Sequence, residues 1–337
     1  MNNLEIAVQN NKIDTITPFD INKLLRQFIS EQNVKTNSKA VYLGGLKQYF
    51  HWIAENQLTL NLLTRAEILR YKDDLIKRGL GLNTISIYLT AVRLFYEWAE
   101  AYKIYPNIAK GIKMPSKRLK FTKQHLTVEQ INQLFSYFLK KIEEATEKNK
   151  IGMIRDFAIV NLLIRTGIRE MEATESNIRD ITMRQGKRIL KIRSKGKIEK
   201  DDFVVLTNKT YQPISAYLML RDDTMSYTEF STEYNDNKSP LFLSYSNFNK
   251  KGRISTRYIR DMVKGGLTAI GLTGKSYSTH SLRHSTAVML LKESGNTESA
   301  QVVLRHANIS TTQIYTESIK EELRLENPPE ELLDKLF

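Results

Sequence analysis

Apolar residues recur at three- and four-residue intervals through most of this chain, the period of α-helices that bury one face. Ile21, Leu24, Leu25 and Phe28 make the first set, just after Thr17-Pro18, where proline suits the first helical position. Val41, Leu43, Leu46, Tyr49, Phe50 and Ile53 make the second. Thr64 and Glu67 have capping-box spacing ahead of Ile68, Leu69 and Leu75. Leu80-Gly81-Leu82-Asn83 interrupts the pattern before Ile87, Tyr88, Val92, Phe95 and Trp98. Four helices in such a short span predict a small all-α domain over residues 17–108, preceded by a short extension, 1–16.

The pattern then breaks. Residues 109–124 follow Pro106, include Gly111 and a second proline, and read as a linker. Thr127 and Gln130 repeat the capping spacing and open a second helical region that runs to about Arg165. Beyond it the period shortens to two. Ile178–Met183, Arg188–Arg193 and Asp202–Leu206 are short, partly alternating and β-branched, with turns at Gln185-Gly186 and Ser194-Lys195-Gly196-Lys197. Three such segments predict a small antiparallel sheet. After Leu206 the helical period returns, interrupted by a polar stretch from Ser226 to Ser239. The expected fold class is mainly α with a small antiparallel sheet (α+β), with a second domain over 125–326 and a tail over 327–337. Leu332, Leu333, Leu336 and Phe337 form a short apolar stripe in that acidic tail, suited to docking on its own domain or on a neighbouring protomer.

Composition narrows the function. The chain has 337 residues, enough for two domains, and 41% hydrophobic content, enough for real cores. It has no cysteine, hence no disulfide, thiolate nucleophile or cysteine zinc site. It shows no apolar run long enough to span a bilayer and no signal peptide, so a cytoplasmic, nucleoid-associated location without membrane contact is expected. The formal net charge of +14 favours a polyanionic partner. That charge is densest at Lys113, Lys117, Arg118, Lys120 and Lys123, with no acid among residues 111–123. Such a run is either a solvated connector or a strap along a phosphate backbone.

Candidate chemistry collects late in the chain. Thr166-Gly167-Ile168-Arg169-Glu170-Met171-Glu172 follows an apolar helix, with glycine ending one helix and Arg169 and Glu172 spaced to share a face of the next. Taken alone, that pair reads as a surface ion pair. His280 and Arg283 have the same spacing in Thr279-His280-Ser281-Leu282-Arg283-His284, ahead of Ala287, Val288, Leu290 and Leu291. His280 by itself reads equally well as a capping residue, and His284 as a packing residue. His306 precedes a polar turn, and Tyr315 follows nine residues later. Gly274-Lys275-Ser276 hints at a phosphate loop, but the earlier glycine that motif needs is Ala269. No metal-ligand cluster stands out.

In this order and spacing the set resembles the tyrosine recombinase (phage integrase) family, of the Xer-like and mobile-element integrase kind, over nearly the whole chain. The resemblance implies a SAM-like core-binding domain followed by a catalytic domain. It implies a site-specific DNA recombinase that cleaves and rejoins duplex DNA through a 3′-phosphotyrosine, without metal, ATP or other cofactor. The implied catalytic residues are Arg169, Lys195, His280, Arg283, His306 and Tyr315, supported by Glu172 and His284. Lys197 stays a rival to Lys195, because the turn reads Ser-Lys-Gly-Lys where many members have Gly-Lys-Gly. The implied partners are a double-stranded recombination site and further copies of the chain, a tetramer on two duplexes, with or without an accessory protein or partner recombinase. A type IB topoisomerase and a DNA-binding regulator that no longer cuts are the alternatives.

Overall fold

The computed structural model describes residues 18–113, 124–194, 197, 199–221, 239–247, 249–274, 276–294 and 297–305, then Leu325, Pro328 and Glu331–Asp334. The chain divides into two compact units, Met1–Leu119 and Lys120–Phe337.

In the first unit, four helices follow the expected sets: α1 (Pro18–Glu31), α2 (Thr36–Glu55), α3 (Arg65–Lys77) and α4 (Leu82–Ala101). Thr64 and Glu67 form the capping box at the start of α3, where the Thr64 backbone N–H donates to Glu67 at 2.8 Å. A Cβ added to Gly45 of α2 would lie 3.2 Å from Ala91 of α4, so α2 and α4 meet almost backbone to backbone. Aromatic rings fill the core. The hydroxyls of Tyr49 and Tyr96 share a hydrogen bond at 2.9 Å, which spares two buried polar atoms the cost of desolvation. Trp98 donates to Glu31 at 2.7 Å and so ties α4 to α1. Ala109 and Ile112 are buried in this same core, and Arg65 donates to the Lys110 and Gly111 carbonyls. Ordered packing in this unit therefore runs past residue 108, into the segment read from sequence as linker.

The second unit is organised on α6 (Glu147–Thr166), whose last two turns are buried on nearly every side. α5 (Val128–Glu143), α8 (Asn208–Met219), α9 (Thr256–Ala269) and α10 (Thr279–Ser294) pack around it. Thr127 and Gln130 cap α5 reciprocally, at 3.0 and 3.2 Å. The short α7 (Glu170–Glu175) leads to a three-stranded antiparallel sheet, β1 (Ile181–Arg184), β2 (Lys187–Ile192) and β3 (Asp202–Val205), in the order β1-β2-β3. Ile181 pairs with Leu190, and Ile192 with Asp202. Leu190, Ile192 and Val204 face the core, while Lys191, Phe203 and Val205 face outward. The first strand begins at Ile181 rather than the expected Ile178. Residues 178–180 instead form a 3₁₀ turn, closed by the Asn177 backbone N–H donating to the Asp180 carboxylate at 2.5 Å. α11 (Thr297–Leu304) packs on α10. The polar segment expected between Ser226 and Ser239 lies, but for Ser239, outside the described residues.

Candidate active site

The α6–α7 junction carries the first candidate side chain. α6 stops at Gly167, which takes the left-handed conformation (φ 60°, ψ 19°) that glycine adopts without steric cost. Its N–H closes the helix on the Leu163 carbonyl at 3.0 Å. Glycine is needed for a second reason: an added Cβ would meet Leu304 at 2.8 Å and Thr286 at 3.3 Å. Arg169 then sits at the N-cap of α7, extended, with its side chain about one third exposed (34%). Glu172 is buried at 6% and accepts twice from Arg169, from the backbone N–H and from Nη1, both at 2.8 Å. Sequence spacing foresaw this pair, but not its burial. Burying a carboxylate this deep is costly without charged partners, and losing one would cost several kcal/mol.

Arg283 occupies the next position. It lies on the buried face of α10, 6% exposed, and donates to two carbonyls, those of Gly167 and Leu304. Gly167 stands two residues before Arg169, and Leu304 two residues before His306. One permanently charged, planar fork thus fixes the loop that bears Arg169 and the end of α11 that leads to His306. Thr286, one turn further along α10, reinforces the joint by donating to the Ile164 carbonyl at 2.6 Å.

His280 is exposed in the first turn of α10. Its neighbour Thr279 is buried and donates to the carboxylate of Glu170, which also pairs with Arg260 of α9. Glu170 therefore locks the start of α10 against the residue next to Arg169. His284 is buried at 1% and meets the His125 ring edge-on at 5.6 Å. Burial, and to a smaller degree the charge of His125, pushes its imidazole down to about 3. His284 is a neutral packing group at the joint between the start of this unit and α10. That joint is closed by the Leu126 backbone N–H donating to Ser285 at 2.7 Å.

The β2–β3 turn holds three lysines. Lys195 lies outside the described residues, and Lys197 is exposed. Lys200 is committed elsewhere: it pairs with Asp180 and donates to the Glu175 carbonyl at 2.9 Å, and burial holds its amine below the usual lysine range. His306 and Tyr315 also lie outside the described residues, as do Lys117, Arg118, Lys120 and Lys123. Lys113 is exposed, and its carbonyl accepts from Lys72 at 3.1 Å.

Sequence reasoning passed over Glu170, Arg260, Asp202 and Arg305. Only Arg305 left a signal, as the residue before His306. Its guanidinium, 8% exposed, donates to Glu172 at 2.7 Å and approaches Asp202 at 3.5 Å.

Comparison with known proteins decides the family. The model of the phage integrase family matches residues 124–322, and that of the phage integrase N-terminal SAM-like domain matches residues 21–103. The chain belongs to the phage integrase family. It is 29% identical over 307 residues to the tyrosine recombinase XerC of Thermodesulfovibrio yellowstonii, covering 90% of this chain and 92% of that one. Among solved structures it resembles the XerH site-specific recombinase bound to palindromic difH substrate, post-cleavage, at 20% identity and a TM-score of 0.68, covering 92% of this chain and 84% of that one. It also resembles the Tn1549 transposon integrase in complex with transposon right end DNA, at 16% identity and a TM-score of 0.60, covering 90% and 98%. At these identities the two structures speak for the fold, a small helical unit followed by an integrase catalytic unit. Among the described residues of this family member, no helix is long and apolar enough to cross a membrane.

Proposed function

We propose that this integrase-family chain is a site-specific recombinase that breaks and rejoins duplex DNA through a covalent bond between Tyr315 and a 3′-phosphate. The phenolic oxygen of Tyr315 attacks the scissile phosphorus, the P–O5′ bond breaks, and the 5′-oxygen leaves as a hydroxyl. His280, exposed at the start of α10, helps remove the tyrosine proton. Lys195, or Lys197 from the same turn, delivers the proton to the leaving oxygen. Arg169, Arg283 and His306 hold the non-bridging oxygens, where charge builds in the transition state. The bond energy is kept in the phosphotyrosine, so rejoining needs no nucleotide.

One observation carries this reading: Arg283 donates to the carbonyls of both Gly167 and Leu304. Those bonds draw the segment of Arg169 and the approach to His306 toward one guanidinium, as a phosphate-binding cluster requires. The basic residues from Lys113 to Lys123 would follow the DNA backbone, and four copies would hold two duplexes, in the cytoplasm at the nucleoid. The binding-only alternative separates in one experiment, and relaxation of a supercoiled plasmid that lacks the recombination site would point to the topoisomerase instead. Suicide duplexes built from DNA flanking the gene should trap the wild-type protein covalently, and Tyr315→Phe should form no adduct. An adduct with Tyr315→Phe, or tight binding without any wild-type adduct, would overturn the assignment.

A further inference from the structure

The described residue nearest in sequence to His306 is Arg305, and its geometry is unusual in two ways. Its backbone is left-handed, with φ of 53°, a conformation disfavoured for side chains other than glycine. Its side chain is buried yet charged, 8% exposed, and its guanidinium is held by polar partners. Nη2 donates to Glu172 Oε2 at 2.7 Å, Nη1 to the Val303 carbonyl at 3.0 Å, and Nε lies 3.5 Å from Asp202 Oδ2. Burial holds this group below the ordinary arginine range, with Glu172 and Asp202 opposing that shift. A strained backbone and a buried charge persist together only where the surroundings over-determine them.

The two acids that Arg305 joins belong to different parts of the site. Glu172 also holds Arg169 Nη1, at 2.8 Å, so two arginines share one carboxylate. Asp202 opens β3, at the foot of the β2–β3 turn that contains Lys195 and Lys197. The rest of that turn's base is fastened as well. The Ser194 backbone N–H donates to Asp201 at 3.1 Å, and Lys200 is held by Asp180. Arg305 supplies the cross-link from this base to the arginine loop.

We propose that Arg305 is a positioning residue, which fixes the lysine-bearing turn relative to Arg169 by bridging Asp202 and Glu172. This deepens the reading above and rests on it, since it takes that turn as the source of the leaving-group proton. Arg305 touches neither DNA nor the reacting atoms. It sets the distance over which the lysine works, and its loss shows in proton delivery to the 5′-oxygen.

The test compares two suicide substrates: the ordinary phosphodiester, and one with sulfur in the bridging 5′ position, whose thiolate leaves without a proton. Arg305→Gly removes the guanidinium while keeping a residue at ease at this φ, and Asp202→Asn weakens the same bridge from its other end if the first variant folds poorly. Adduct formation by either variant should slow on the ordinary substrate, on the order of 10- to 100-fold for Arg305→Gly, and recover most of that loss on the sulfur substrate. Equal slowing on both substrates, or none on either, overturns the proposal. Lys195→Ala and Lys197→Ala, run alongside, separate the two levels. If one lysine variant is rescued by sulfur and Arg305→Gly is not, the lysine reading stands and the role of Arg305 falls. If neither lysine variant is rescued, the lysine reading fails and takes the proposal with it.

Discussion

Gly167 is where fold and chemistry meet most tightly, so Gly167→Ala is the sharpest test of the packing argument. Two costs combine. Alanine at φ 60° bears left-handed strain of about 1–2 kcal/mol. The new methyl would lie 2.8 Å from Leu304 and 3.3 Å from Thr286, and forcing extra volume into such a site costs about 1–3 kcal/mol. Lower entropy of the unfolded chain returns about 0.4–1 kcal/mol. The net is a loss of about 1–5 kcal/mol, which for a unit of this size is a fall in Tm of roughly 2–18 °C. Thermal unfolding followed by far-UV circular dichroism would read it. Gly265→Ala is the control: it lies in the interior of α9 with nothing within 4 Å of the added Cβ, and should gain about 0.5–1 kcal/mol. A Gly167→Ala protein that melts within about 1 °C of wild type, on the scale above, would refute the reasoning. It would mean that α11 can withdraw from the α6–α7 junction freely.

Three further outcomes follow from the same geometry. His284, with its pKa near 3 in the folded state against about 6.5 when unfolded, lets the unfolded chain bind the extra proton. Stability should therefore fall as pH drops from about 6.5 toward 3, by up to about 1.4 kcal/mol per pH unit; His284→Phe should flatten that slope in urea titrations, and an unchanged slope would refute the assignment. Glu170→Ala removes the acceptor of Thr279 and Arg260 and should slow adduct formation about tenfold by loosening the start of α10, whereas Glu170→Gln, which still accepts from Thr279, should retain more activity. Gly266→Ala, which would press on Phe138 at 2.8 Å, should destabilise by about 1–3 kcal/mol, the opposite sign from its neighbour Gly265 in the same melting assay.

Periodicity exposed the helices because each buries a stripe against a core, and the capping pairs Thr64/Glu67 and Thr127/Gln130 are local chemistry visible at fixed spacing. Ile178 misled because its β-branched neighbourhood looks like strand. The Asn177–Asp180 contact that turns the chain there is a side-chain bond with no period. Arg169 and Glu172 were legible as a pair from their spacing of three, though they meet as the N-cap and third residue of α7 rather than on one helical face. Glu170 with Arg260, and Arg305 with Asp202, were not, because their partners lie 90 and 103 residues apart in sequence and no spacing rule spans such loops. The same limit hid Arg155, buried between the rings of Tyr245 and Tyr258 and paired with Asp156 at 2.6 Å.

Those long-range carboxylates explain how the site can gather so many cations before DNA arrives. Arg169, Arg283 and Arg305 lie on segments in direct contact, and like charges brought together in a poorly hydrated region repel strongly. Two devices keep the cluster folded. Glu172 sits between Arg169 and Arg305 and cancels part of their repulsion. Arg283 donates to the backbone carbonyls of Gly167 and Leu304, and carbonyl dipoles stabilise a guanidinium without cancelling its charge. Replacing Glu172 by glutamine should therefore act oppositely on two measurements: DNA binding at low salt should hold or tighten as net charge rises, while the catalytic unit melts lower because two guanidinium groups lose their shared anion. If binding and stability fell together, Glu172 would be serving the phosphate site directly rather than holding its arginines apart.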